Sequence, residues 1–181
     1  METEIEPKEF KIENSGKETI EILYQVGLIG FLHKFNGHND KITQEFINHY
    51  EQGQTIVGDL SIPLNPEFLS QALDLPLAGE EYHKGLHFKE KGWKFFLEKQ
   101  RKRSFDREKG ILRDWLSEPW SQLVLIIQRY FAYHNRFSVV YIYHIRLLQH
   151  MKGESKIILP YYFSKSLVKM IEGVKSKAGE K

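Results

Sequence analysis

The longest stretch rich in apolar residues in this chain lies between Ser121 and His150. In its first half the apolar positions recur every three or four residues, as on one face of a helix, at Leu123, Ile126, Ile127, Tyr130 and Phe131. Ser117 and Pro119 suit an N-cap and a first turn, so the pattern predicts a helix that begins near Pro119. The second half, residues 139–151, begins with strand-forming valines but has no turn residue, which favours a second helix. We expect these helices to form the centre of the core, with Ile126 and Ile127 almost fully buried.

The N-terminal half of the chain predicts two helices, a hairpin and a third helix. Apolar residues at helical spacing occupy residues 18–35 and 40–50, with turn residues between them. Residues 55–64 contain two short β-branched runs around a Gly-Asp pair, which predicts a β-hairpin. Asn65 is a favourable N-cap residue, and the proline that follows suits a first helical turn, so a short helix is expected over residues 66–73.

The remaining patterns predict three more helices. They cover residues 91–100, with Trp93, Phe96 and Leu97 facing inwards, residues 106–116, which would bury Ile111, Leu112 and Trp115, and residues 161–172. The expected fold is mainly α, a single compact helical domain of about seven helices at residues 18–172 with a small β-hairpin near residues 55–64. Residues 1–17 are expected to form a mobile acidic lead-in, and residues 173–181 a frayed basic tail.

Composition narrows the class of protein. Of the 181 residues, 41% are hydrophobic and 28% are charged, as in an ordinary globular protein. No run reaches the roughly 20 apolar residues of a membrane-spanning helix, and the acidic start lacks the basic and apolar regions of a signal peptide. We therefore expect an intracellular protein with no membrane partner. The absence of cysteine excludes disulfides, thiolate metal ligands and a thiol nucleophile.

Charge is distributed unevenly along the chain. Residues 1–21 hold seven acids and three lysines, whereas residues 84–113 hold eleven lysines or arginines and four acids. The candidate nucleic-acid-binding residues come from this basic part of the chain, namely Lys99, Arg101, Lys102, Arg103 and Arg107. A solvated helical face is the alternative interpretation of the same residues. The sequence KQRKR also resembles a nuclear import signal, so we expect the nucleus rather than the cytoplasm.

No stretch of the chain carries a specific catalytic or cofactor motif. His83 and His87 have the spacing of two metal ligands on a helix, but Gly85 lies between them and no third ligand has a matching spacing. Acids at residues 80–81 and 106–108 are typical of solvated surface, because acid–base catalysis needs displaced pKa values and a defined geometry. We therefore assign no catalytic, cofactor-binding or metal-binding residue.

Histidines and tyrosines near the central stretch allow two interpretations. His144 and His150 could act as general bases, but a hydrogen-bonded histidine in or beside the core is favoured, and residues 134–136 are expected to form a polar link. Six tyrosines could stack on nucleic-acid bases, although their spacing indicates that packing explains at least four of them. They are Tyr130, Tyr133, Tyr141, Tyr143, Tyr161 and Tyr162.

The order of sequence signals between Leu28 and Tyr82 is distinctive. LIGFLHKFNGHND lies in a predicted helix, TIVGDLSIPL in the hairpin, LNPEF at a helix start, and LDLPLAGEEY follows. This order resembles the plant mobile domain and related proteins encoded by plant transposable elements. That family has leucines, a proline and a glycine at the places of Leu73, Leu75, Pro76 and Gly79. The later RYFAYHNRFSVVYIYHIRLLQHM and ILPYYFSKSL resemble its C-terminal half, so the likeness spans about residues 27–170.

The resemblance implies a mostly helical domain encoded by, or domesticated from, a mobile element. It implies no agreed enzymatic activity and supplies no catalytic residues. We expect such a domain to act through protein–protein interaction or self-association. The basic segment, residues 89–113, supports the alternative hypothesis of a module that binds DNA or RNA without sequence specificity.

Overall fold

Helices and two short pairs of strands make up the computed structural model, which describes residues 15–33, 39–81, 90–98, 109–131, 137–153 and 156–179. The α-helices of the described part are α1 Lys17–Gln25, α2 Leu28–His33, α3 Asp40–Asn48, α4 Pro66–Leu73, α5 Glu90–Trp93, α6 Trp120–Ile126, α7 Ile142–Met151 and α8 Leu159–Gly179. The strands are β1 Gln54–Val57, β2 Leu60–Pro63, β3 Ile111–Leu112 and β4 Val139–Val140. Short 3₁₀ segments cover Lys94–Phe96 and Arg113–Trp115, and a π-helical turn covers Ile127–Phe131. The predicted mainly α fold with a small hairpin is confirmed.

The hairpin and α4 match the sequence prediction closely. β1 and β2 are antiparallel, with Val57 opposite Leu60 at the turn. Gly58 has a φ of 56°, a conformation that glycine adopts without steric cost. α4 begins after Asn65, whose side-chain oxygen accepts a hydrogen bond from the Phe68 N–H at 2.8 Å.

The first predicted helix is divided in two. α1 ends at Gln25, and α2 begins at Leu28. Between them Gly27 has a φ of 75°, and the N–H groups of Val26 and Gly27 donate to carbonyls of the last turn of α1. The prediction of one continuous helix over residues 18–35 was wrong because a glycine in this conformation ends a helix.

The second half of the central stretch is not helical from its start. Val139 and Val140 form β4, which pairs with Ile111 and Leu112 of β3, so that α7 begins only at Ile142. Gly110 permits this pairing, because a Cβ atom there would lie 2.6 Å from the Val140 carbonyl oxygen. The strand propensity of the valines is therefore realised through a partner that is distant in sequence.

The predicted helix over residues 106–116 is also wrong in its described part. Residues 111–112 are the partner strand β3, and a 3₁₀ turn follows at Arg113–Trp115. Ile111 is buried as expected and Trp115 is half-buried, but Leu112 is exposed. Its side chain points away from the core because successive residues of a strand face opposite sides.

The helix predicted over residues 91–100 stops early. α5 is a single turn, a 3₁₀ turn follows, and Leu97 has an extended conformation and pairs with Leu116. Trp93, Phe96 and Leu97 are buried, as the pattern predicted. Ser117 does not cap α6, because its hydroxyl and its N–H both donate to the Phe96 carbonyl, at 3.2 and 2.8 Å.

α6 lies in the middle of the core and contacts α1, α7 and the 3₁₀ turn at residues 113–115. Ile126 is 7% exposed and Ile127 is fully buried, which confirms the prediction for both. The π-helical turn that continues α6 buries Gln128, whose amide nitrogen donates to the Val139 carbonyl at 2.6 Å. Other fully buried side chains surround this centre: Leu23, Leu28, Leu32, Trp93, Phe96, Leu123, Ile145 and Leu148.

Replacement of Ile126 by Asp should largely unfold the protein. The substitution removes a buried apolar side chain and places a carboxylate in the core, which costs several kcal/mol of a total stability of about 5 to 15 kcal/mol. Thermal unfolding followed by circular dichroism measures the effect. Leu77→Asp is the matched control, since Leu77 is 46% exposed, and it should melt close to the parent. Equal melting temperatures of the two variants would show that Ile126 is not part of the core.

Candidate interaction surface

The five predicted nucleic-acid-binding residues, Lys99, Arg101, Lys102, Arg103 and Arg107, lie outside the described residues. Both ends of the segment that contains them are described. At one end the Glu98 N–H donates to the Trp115 carbonyl at 3.0 Å, next to the paired Leu97 and Leu116. At the other end Lys109 and Gly110 precede β3. Glu98 and Lys109, the described residues on either side, are exposed.

Two of the histidines considered in the sequence analysis, His144 and His150, are described, and both form hydrogen bonds within the fold. His144 is buried and accepts a hydrogen bond at Nδ1 from the Tyr141 N–H, at 3.0 Å. His150 is half-buried and accepts at Nδ1 from the Ile157 N–H, at 3.1 Å. Each bond fixes the ring and leaves Nδ1 unable to act as a base. His83, His87 and residues 132–136 lie outside the described residues.

Of the six tyrosines, five are described, and none of those five is exposed. Tyr162 is buried, Tyr130 packs against the core, and Tyr141 and Tyr143 stack with ring centroids 5.7 Å apart. The ring of Tyr143 also lies 4.2 Å from that of His144. Burial raises the pKa of Tyr143 to about 12, and the adjacent Tyr141 adds to the increase. Packing accounts for this cluster better than base stacking does.

A pocket with a volume of about 360 Å³ lies between the end of α1, residues 76–78 and the α7–α8 connection. Its polar lining comes from Gln25, His150, Lys152 and Lys156, and its walls are otherwise apolar. The described residues that line it include no carboxylate, hydroxyl or thiol. The Nζ atom of Lys152 lies 3.3 Å from the ring centroid of Phe95. This pocket presents hydrogen-bond donors, and its described lining offers no acid or hydroxyl beside them.

Among the described residues, His, Asp and Glu side chains do not gather in groups of three that could bind a metal ion. Glu80 is exposed, and its backbone pairs with Lys156 and Ile158, so its position follows from backbone pairing.

Exposed apolar side chains are concentrated on α3, the hairpin and α8. Nine large hydrophobic residues are exposed in the described part of the chain, and five of them belong to these elements. They are Ile42, Ile56, Leu60, Met170 and Val174. We call the outer faces of α3, the β1–β2 hairpin and the second half of α8 the interaction surface. Leu60, at 69% exposed, lies at the hairpin turn, and Ile42, at 52%, lies in the first turn of α3.

None of the residues of α3 is fully buried, and two hydrogen bonds connect the helix to the hairpin. The Thr55 hydroxyl donates to the Phe46 carbonyl at 2.6 Å, and the Gly58 N–H donates to Glu45 Oε1 at 2.8 Å. These bonds join α3 to both ends of β1. α3 therefore rests on the hairpin and keeps an open outer face.

The second half of α8 forms the remaining part of the interaction surface. Its first half is in the core, where the Ser164 hydroxyl donates to the Leu64 carbonyl at 2.6 Å. In its second half Lys175 Nζ donates to the carbonyls of Asn48 and Tyr50, at 3.2 and 2.7 Å. A lysine at the C-terminal end of α3 also interacts favourably with the dipole of that helix. α8 spans Leu159–Gly179, so the helix predicted over residues 161–172 is longer at both ends than expected. Fraying of the tail at residues 173–181 stays a prediction.

One stripe of α8 continues from the core onto the surface. Phe163, Leu167, Met170 and Val174 follow each other at three- and four-residue spacing. Phe163 is buried and stacks on Phe31 of α2, with ring centroids 5.9 Å apart. Leu167 is half-buried, and the last two are exposed. The sequence pattern is the same along the stripe, so it did not reveal where the core ends and the open surface begins.

Comparison of the chain with protein-family models, with curated proteins and with solved structures finds no match. In the described part of the chain, none of the helices combines the length and the apolar character needed to cross a bilayer.

The raised pKa of Tyr143 should make stability depend on alkaline pH. Near pH 10.0 an unfolded tyrosine begins to ionise, whereas folded Tyr143 keeps its proton up to a pH of about 12. Between these values the unfolded state binds fewer protons, so stability should fall as the pH rises. Urea unfolding of the parent and of Tyr143→Phe at several pH values measures the difference, since other ionising groups are common to both. Parallel pH profiles would contradict this assignment.

Proposed function

We propose that the chain is a non-catalytic helical domain of the type encoded by plant transposable elements, and that it acts by protein–protein interaction. The observation that carries the proposal is the group of exposed apolar side chains on the interaction surface. Solvent-exposed Leu60, Ile42 and Val174 lose contact with water only when another molecule covers them. α3 contacts both β1 and α8, so these side chains lie on neighbouring elements. Exposed apolar side chains grouped in this way suit a protein-binding site.

The polar surroundings of these residues also suit an interface. Lys41, Glu51 and Asp59 are exposed on or near α3 and the hairpin, and Lys169 and Lys177 are exposed on α8. Protein interfaces combine an apolar centre with a polar rim of this kind. The backbone beneath is fixed by the bonds of Thr55, Gly58 and Lys175, so little conformational entropy would be lost on binding.

Removal of two apolar side chains from the surface tests the proposal. Leu60→Ser with Val174→Ser should weaken partner binding at least tenfold, because each buried side chain of this size contributes about 1.5 to 3 kcal/mol and tenfold corresponds to about 1.4 kcal/mol. Capture of proteins from plant nuclear extract by the immobilised chain, followed by titration of the captured protein, gives the affinity.

The matched control is Leu77→Ser with Leu112→Ser, two residues of similar exposure on other elements. This control should bind like the parent. If the parent and both double variants capture the same proteins with equal affinity, the interaction surface has no role in partner binding.

The second candidate function is binding of DNA or RNA without sequence specificity, through the basic segment of residues 89–113. The density of positive charge favours it, because residues 84–113 hold eleven lysines or arginines and four acids. Four acids argue against nucleic-acid binding, because they are interleaved with the basic residues and reduce the positive field of the segment. They are Glu90, Glu98, Asp106 and Glu108.

A salt titration distinguishes this second function. If the segment binds DNA, log affinity should fall with log salt by about 0.9 per phosphate neutralised on duplex DNA. Changing Lys99, Arg101, Lys102 and Arg103 to Gln should flatten that slope by about two to four units. The control removes four exposed lysines elsewhere, Lys41, Lys165, Lys169 and Lys177, and should leave the slope unchanged. Absence of binding at about 50 mM salt would end the nucleic-acid hypothesis.

A further inference from the structure

Charge is divided into two opposite halves across the interaction surface. The part that contains α3 and the hairpin, residues 39–64, has four acids, Asp40, Glu45, Glu51 and Asp59, and one lysine, Lys41. The second half of α8 has three lysines, Lys169, Lys175 and Lys177, and one acid, Glu172. The two halves of the surface therefore carry formal charges of −3 and +2. They adjoin each other, because Lys175 of α8 is bonded to the carbonyls of Asn48 and Tyr50.

A surface of this kind is complementary to itself. In a two-fold symmetric pair every contact occurs twice. If a residue of the first copy contacts a different residue of the second, the same two positions also meet with the copies exchanged. Rotation about a two-fold axis that lies in the interface and runs along the boundary places the −3 half of each copy opposite the +2 half of its partner. A partner with charge of a single sign would be attracted by one half and repelled by the other.

From this charge arrangement we propose that the interaction surface binds a second copy of this chain, in a two-fold arrangement that pairs the acidic half of each copy with α8 of the other. The inference rests on the proposed function and specifies its partner. The apolar residues would form the centre of the interface, since both halves contribute them: Ile42, Ile56 and Leu60 from one, and Met170 and Val174 from the other.

Exposed charged side chains are present in both halves. Glu51 and Asp59 are exposed in the acidic half, and Lys169 and Lys177 are exposed on α8. These four side chains are therefore able to form ion pairs between two copies.

Analytical ultracentrifugation of the full chain tests the proposal directly. The chain should sediment as a dimer of 21.4 kDa subunits. The dimer should weaken as salt is raised, because its rim pairs are exposed to solvent. Two charge-reversed variants then identify the surface. In one, Glu51 and Asp59 become Lys; in the other, Lys169 and Lys177 become Glu. Each alone should be monomeric, because like charges would face each other, whereas an equimolar mixture should form a heterodimer.

A third variant controls for general attraction between oppositely charged proteins. Glu18→Lys with Glu21→Lys changes the net charge as much as the first variant, but on the exposed side of α1. Mixed with the Lys169→Glu, Lys177→Glu variant it should form less heterodimer than the first mixture, because only one of the two reciprocal contacts then pairs opposite charges. Failure of the first mixture to associate, or equal association in both mixtures, would overturn the two-fold arrangement.

The outcomes also separate this inference from the proposed function. A parent chain that stays monomeric up to about 1 mM overturns self-association. If extract capture then still depends on Leu60 and Val174, the surface binds a different protein and the proposed function stands. If neither association nor capture depends on the surface, both are wrong.

Discussion

Burial of α6 in the middle of the core is the constraint on which the positions of the other elements depend. Leu123 and Val124 of α6 and Ile127 of the π-helical turn after it are fully buried, and α1, α7 and the 3₁₀ turn at residues 113–115 all contact α6. Hydrogen bonds also connect this central region to its neighbours. Gly16, just before α1, donates its N–H to Gln122 of α6, and the Gln128 amide donates to β4. Apolar burial and satisfied hydrogen bonds therefore fix the chain on several sides of one helix.

The sequence could predict those elements of the fold that depend on residues close together in the chain. The hairpin turn at Gly58, the N-cap at Asn65 and the proline after it each act within a few residues, and the structure has all three as expected. Pairing of Val139 with Leu112 is different, because its partner is 27 positions away and neither run is long enough to predict a strand alone. The pairing of Leu97 with Leu116 could not be predicted for the same reason, since these residues are also far apart in the chain.

Prediction of a site from sequence meets a second physical limit. The residues that the sequence favoured for nucleic acid, around Arg101, lie outside the described part, while the interaction surface was not anticipated at all. Ile42 and Met170 have the spacing of core residues, and spacing reports only which side chains share a helical face. Whether that face meets another element of the chain or solvent depends on tertiary packing. The exposure of α3 follows from how it packs on the hairpin, which the spacing of its apolar residues does not report.

α8 connects these two regions of the molecule. Its first half has Leu159, Tyr162 and Phe163 in the core, whereas its second half is mostly exposed, with Ile171 the buried exception among residues 171–177. A helix is stiff over this length, so the core fixes the direction in which the exposed half projects. The hydrogen bonds from Lys175 connect that half to the end of α3. The acidic and basic halves therefore adjoin each other, which is the condition that reciprocal pairing between two copies requires. A flexible basic tail would satisfy charge attraction equally well but would select no orientation.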